Sequence, residues 1–174
     1  GNGGALYRSG AVLVESQNSS VSQNGAVNGG GLYLLDGWNN FTNTNLTLNY
    51  ATNDGGALSL NTSETMTMNS CVVDHNDAVL SGGGVYISGG STLQATNSLY
   101  TNNIARSTSG GGGGGGAIYA EDTAVVVSTN DLYKNNRATQ GSGGGLYMND
   151  NAQWTCSSCI LQNNTAYYHG GAVY

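Results

Sequence analysis

Charge is scarce in this chain. Four Lys and Arg and ten Asp and Glu among 174 residues make 8% charged and leave a net charge of −6, against about 25% charged in ordinary globular proteins. Arg8, Arg106, Lys134 and Arg137 form no cluster beyond the last pair. Counterion displacement from phosphates needs clustered Lys and Arg, so nucleic acid is excluded as a partner. No apolar run approaches the ~20 residues of a spanning helix, so this segment carries no direct membrane span, and no signal peptide is visible. Proline is absent, while 29 residues are glycine. Such a composition, rich in Asn, Ser, Thr and Gly, would suit a disordered chain, but disordered chains lack apolar and aromatic positions that recur on schedule. Here they recur.

The recurrence is a phrase of two glycines, Gly or Ala, an aliphatic residue and usually Tyr. It reads GGALY at Gly3–Tyr7, GGGLY at Gly29–Tyr33, GGALS at Gly55–Ser59 and GGGVY at Gly82–Tyr86. It returns as GGAIY at Gly115–Tyr119, GGGLY at Gly143–Tyr147 and GGAVY at Gly170–Tyr174. Successive starts are 26, 26, 27, 33, 28 and 27 residues apart. A fixed period of this size marks a solenoid in which each unit stacks on the one before. A second phrase keeps the same beat: an apolar residue, two unspecified positions, Asn, one more, then Ala. Its six copies centre on Asn24, Asn49, Asn76, Asn103, Asn136 and Asn164.

Between the phrases, short runs alternate apolar with polar, as at Ala11–Val14, Thr65–Met68, Thr92–Ala95, Ala124–Val127 and Gln153–Cys156. Period-two alternation bounded by turn residues reads as β-strand. Three runs fit each period, which predicts an all-β parallel solenoid with three sheets around a narrow core and about 26–28 residues per coil. Alternation turns the aliphatic residue of the glycine phrase inward. It turns Tyr7, Tyr33, Tyr86, Tyr119, Tyr147 and Tyr174 outward, as a candidate contact face interrupted once by Ser59. The asparagines are read as an internal ladder, because Asn offers both a donor and an acceptor to backbone groups stranded at a buried turn.

The pairing of G-G-[AG]-[ILV] with an apolar-x-x-N phrase resembles the repeats of the chlamydial polymorphic outer membrane proteins and, more broadly, the pectate-lyase-like parallel β-helices. The resemblance spans essentially the whole chain, with Val, Leu or Tyr where that family usually has Phe before x-x-N. It implies a right-handed coil and a secreted or surface-exposed region associated with adhesion.

The chain reads as one domain over residues 1–174, with six full repeat intervals, and as the interior of a longer protein. The longest interval implies a Gly/Ser-rich insertion loop at 107–116; no Lys-Ser or Lys-Thr follows its glycines, so it is not a phosphate loop. Cys71 and Cys159 share a repeat position three coils apart, about 14 Å at ~4.8 Å per coil, too far for a disulfide. Cys156 and Cys159 are read as a local disulfide, a redox pair or two thiols. Asp122 and Asp150, with Glu121 nearby, form a stacked acidic pair that would suit Ca²⁺ or a solvated turn, and Asp36 at the same position favours the turn. Asp74, His75 and Asp77 make a second surface cluster. No metal, cofactor or catalytic residue is assigned. Sequons at Asn18, Asn40, Asn45, Asn61 and Asn163 are candidate glycosylation sites.

The expected function is a non-enzymatic extracellular or cell-surface shaft, structural or adhesive. Its expected partners are further coils or other copies of itself, extracellular proteins or glycans. The alternative is a carbohydrate-binding or polysaccharide-degrading module.

Overall fold

The computed structural model describes residues 1–107 and 113–174. The expected insertion loop at 107–116 therefore lies partly outside the described residues. The rest winds as a parallel β-solenoid of about six coils, and every strand pairing between coils is parallel.

Four sheets of six strands each run the length of the solenoid. The first begins at the glycine phrase, with strands such as Leu32–Leu35 and Val85–Ile87. The second holds the longer mid-coil strands, among them Trp38–Thr42, Thr65–Asn69 and Val125–Thr129. The third comprises three-residue strands such as Val72–Asp74, Leu99–Thr101 and Leu132–Lys134. The fourth consists of two-residue strands, from Gly25–Ala26 to Thr165–Ala166.

Three sheets were expected, and the fourth has a local cause. The residue before each ladder asparagine adopts a left-handed backbone: Gln23, Leu48, His75, Asn102, Asn135 and Asn163 have φ of 59°, 57°, 52°, 55°, 57° and 55°. This bend splits one expected strand into a three-residue and a two-residue piece, each with its own ladder. A second left-handed column, Asn18, Asn43, Ser70, Asn97, Asn130 and Ser158, separates the second sheet from the third. Left-handed angles cost most L-residues roughly 1 kcal/mol, Asn least, so Asn at most of these corners lowers the strain.

A further correction concerns the first coil, where the alternating run Ala11–Val14 reads as a strand. The strand is Val14–Gln17, in register with residues 39–42 of the next coil, and Val12 and Leu13 stand more than half exposed. Pairing with the neighbouring coil outweighs the local apolar pattern.

The core is a narrow column. Leu34, Leu60 and Ile87 from the first sheet meet Phe41, Met66, Met68, Leu93 and Val126 from the second and Leu46, Val73, Tyr100 and Tyr133 from the third. Each large apolar side chain so enclosed contributes ~1.5–3 kcal/mol. Tyr100 and Tyr133 stack with centroids 4.8 Å apart, and Trp154 meets Tyr133 edge-on at 6.4 Å. Their hydroxyls have partners inside: Tyr133 with Ser128 at 2.6 Å and Tyr100 with the Met68 sulfur at 3.8 Å.

Candidate functional site

The six ladder asparagines are joined in one hydrogen-bonded chain. In each step both the backbone N–H and the side-chain amide of one Asn donate to Oδ1 of the next, at 2.9–3.1 Å. The amide also donates to a carbonyl of the preceding coil: Asn49 to Val21, Asn76 to Leu46, Asn103 to Val73, Asn136 to Tyr100 and Asn164 to Tyr133. Asn49, Asn76, Asn103 and Asn136 are buried, whereas Asn24 and Asn164 are half-buried.

A second polar ladder occupies the corner between the second and third sheets. The amide of Cys71 donates to Ser98 Oγ at 3.1 Å, and that of Ser98 to Asp131 Oδ1 at 2.8 Å. Sequence reasoning missed it, although a small polar residue or Cys just before each third-sheet strand was its signal. Asp131 is the one carboxylate in this column and is 1% exposed. Burial pushes its carboxyl up to about 6, against the opposing pull of the Ser98 amide and Ser128 hydroxyl. The unfolded carboxyl titrates near ~3.9, so the protonated form is favoured by folding. Its contribution is fully present below about pH 4 and is lost as pH rises through about 6. Asp54 is shifted the same way, also to about 6, while the lowered Asp74 carboxyl acts oppositely and below this window. The solenoid is therefore expected to gain stability between pH 7 and pH 4.5. Asp131→Asn keeps an acceptor for Ser98 and removes the charge. It should raise stability at pH 7 by roughly 2 kcal/mol and flatten the pH profile, as read by urea unfolding.

The tyrosine column lies on the outer side of the first sheet, but it is not the uniformly exposed face expected. Tyr7 and Tyr174 are about half exposed at 53% and 50%, whereas Tyr119 is buried at 3%. The rings stack on one another along the axis: Tyr7 on Tyr33 at 5.6 Å, Tyr86 on Tyr119 at 5.7 Å, and Tyr119 on Tyr147 at 5.0 Å. Tyr147 and Tyr174 are tilted at 5.0 Å. Much of the aromatic area faces other tyrosines. At the interruption, Ser59 is buried and its hydroxyl accepts from Asn61 at 2.7 Å.

Beside that gap is a hollow of about 290 Å³ lined by Asp54, Leu80, Ser81, Tyr86, Gly113, Tyr119 and Glu121. The Tyr86 hydroxyl donates to Glu121 Oε1 and that of Tyr119 to Oε2 at 3.1 Å. Burial and the Glu121 carboxylate hold both phenols protonated well above their ordinary range. Across the hollow, Asp54 accepts from the Ser81 amide at 3.1 Å, and burial with the charge on Glu121 raises it. The site thus pairs a carboxylate fixed by two phenols with one that burial raises to about 6. With both phenolic hydrogens given to Glu121, the hollow presents carboxylate and phenol oxygens as acceptors.

The other acidic groups are placed differently. Asp122 and Asp150 are exposed turn residues with φ of 61° and 54°; Asp122 accepts from the Gly89 amide at 3.0 Å, and Glu121 turns to the tyrosines instead. Asp74 pairs with His75 at 2.6 Å, and Asp77 binds Arg106 through both carboxylate oxygens. Among the described residues no group of three or more His, Cys, Asp or Glu is arranged to hold a metal ion.

A buried ion pair went unseen in the sequence. Arg8 Nη2 reaches Glu64 Oε1 at 2.6 Å and Asn39 Oδ1 at 3.1 Å, tying the first three coils together, and Glu64 is fully buried. Cys156 and Cys159 form a disulfide, and Cys71 is a buried free thiol. Of the sequons, Asn18, Asn40, Asn45 and Asn163 are exposed, while Asn61 is half-buried and bonded to Ser59 and Ser88. No protein family, curated protein or solved structure matches this chain.

Proposed function

We propose that this chain is a rigid, non-enzymatic shaft of an extracellular or cell-surface protein or surface filament, with a structural or adhesive role. The observation that carries the reading is the unbroken asparagine ladder, continuous through six coils alongside four full-length sheets. A shaft needs stiffness along one axis, and parallel pairing with axial ladders supplies it. The repeat phrases favour kinship with the right-handed β-helices of the polymorphic outer membrane protein type. A disulfide between Cys156 and Cys159 suits an oxidising compartment, and four exposed sequons would suit glycan attachment there. Further coils, other copies, extracellular proteins and glycans are the partners such a shaft would meet.

The Asp54–Glu121 hollow with its two phenols favours a second reading, a glycan-binding module. Labelling intact cells of the source organism with a specific antibody and an impermeant biotin reagent tests the first. Surface labelling on an elongated structure is expected; confinement to the cytosol would overturn it. A glycan array with wild-type and Glu121→Gln protein separates the two readings. Binding lost in the variant would put glycan recognition first.

A further inference from the structure

The outer face of the third sheet carries an apolar column in an otherwise polar surface. Val72, Leu99, Leu132 and Ile160 are in register on four successive coils and point outward. Leu99 is 40% and Ile160 60% exposed. Alongside runs the outward column Asp74, Thr101, Lys134. Burial works against the charge on Asp74, but bonds from Thr101, His75 and Asn102 together outweigh it and hold the carboxyl below the usual range. Lys134 forms no ion pair among the described residues.

Over the three coils centred on Leu99 these two columns are self-complementary. A two-fold axis along the strands of that coil, lying between two facing third sheets, reverses coil order and leaves each column opposite itself. It places Asp74 against the second copy's Lys134, twice. It also sets Val72 against the second copy's Leu132, and Leu99 against the second copy's Leu99. Isologous interfaces have this form, each patch meeting itself with opposite charges matched. We propose that the third sheet is a lateral pairing surface on which two copies of this chain lie side by side with antiparallel axes. The occupant is a second copy because Asp74 and Lys134 sit one coil to either side of Leu99, opposite charges at equal distance from the axis, which a foreign partner would not require. The pairing concerns the isolated chain and stands or falls independently of where the shaft resides. Asn45 lies in the same column, so a glycan there would block the approach.

The test uses the full chain stripped of N-glycans. Leu99→Cys places a thiol on the two-fold axis, and mild oxidation should yield a covalent dimer. Thr67→Cys, outward on the second sheet, is the control and should not. In the Leu99→Cys background, Asp74→Lys or Lys134→Asp alone sets like charges face to face and should cut crosslinking at least about tenfold. Combining both reversals restores the match and should restore the dimer, whereas lost folding would not be rescued by a second reversal. Crosslinking that is absent, or equal at Thr67→Cys, or not recovered in the double reversal, overturns the proposal.

Discussion

Gly83→Ala is expected to be among the most damaging single substitutions in this chain, lowering stability by roughly 3–5 kcal/mol. A Cβ at Gly83 would lie 2.4 Å from the Gly116 carbonyl oxygen, 2.4 Å from the Ile104 carbonyl carbon and 2.5 Å from its oxygen. All three are backbone atoms held by ladder hydrogen bonds, so none can yield without opening the stack. Gly82, beside it, has φ of 62° and serves a different need, the left-handed turn that enters the first sheet. Gly25→Ala is the comparison. There the nearest atom is Tyr50 O at 3.8 Å, and other coils carry Tyr50, Asp77, Ile104, Arg137 or Thr165 at the same register. That change should be neutral or slightly stabilising. Urea unfolding followed by far-ultraviolet circular dichroism separates the two.

Asn76→Ala should cost nearly as much, roughly 3 kcal/mol or more. Its Oδ1 accepts from both the backbone and the side chain of Asn49, and its amide donates to Leu46 O. Truncation leaves the buried Asn49 N–H without a partner and takes one bond each from Leu46 O and from the Asn49 amide, which keeps Val21 O, each loss costing ~1–3 kcal/mol less whatever relaxation recovers. Asn76→Asp would be similarly harmful, since a carboxylate keeps the acceptor but cannot donate to Leu46. Asn24→Ala is the contrast. Its amide serves Ser22 O in an exposed setting and the next Asn, and water can replace the first of these, so a loss near 1 kcal/mol is expected. A gradient from the central coils to Asn24 is the signature of a ladder; equal losses at every position would point to local turn chemistry instead.

The glycine and asparagine phrases made the solenoid legible because they sit where backbone meets backbone. No side chain fits at Gly83, and few but Asn satisfy both groups at the corner between the third and fourth sheets, so these positions repeat without variation. The fourth sheet was hidden because the bend that creates it falls on Gln23, Leu48, His75 and three asparagines, types with no common signal. Tyrosine orientation followed from alternation, yet exposure did not, since stacking between coils depends on ring placement that one coil cannot reveal. The hollow joins Asp54, Tyr86, Tyr119 and Glu121 from three successive coils, and their spacing is regular only once coil register is known. Asp131 was a polar residue among Thr44, Cys71 and Ser98 in the corner column, visible once that column is aligned. Arg8 and Glu64 lie 56 residues apart, and a lone Arg and a lone Glu carry no mark of pairing.

The central claim is a rigid axial stack, and a distance along one outward column tests it most directly. Glu15 and Thr155 begin and end the register that runs through Asn40, Thr67, Gln94 and Val127. Five steps of ~4.8 Å separate their backbones by about 24 Å. Spin labels at these two sites, measured by pulsed dipolar resonance, should give one narrow distribution centred within label reach of that value. A broad distribution, or one centred far beyond it, would contradict the stacked shaft and with it the function proposed.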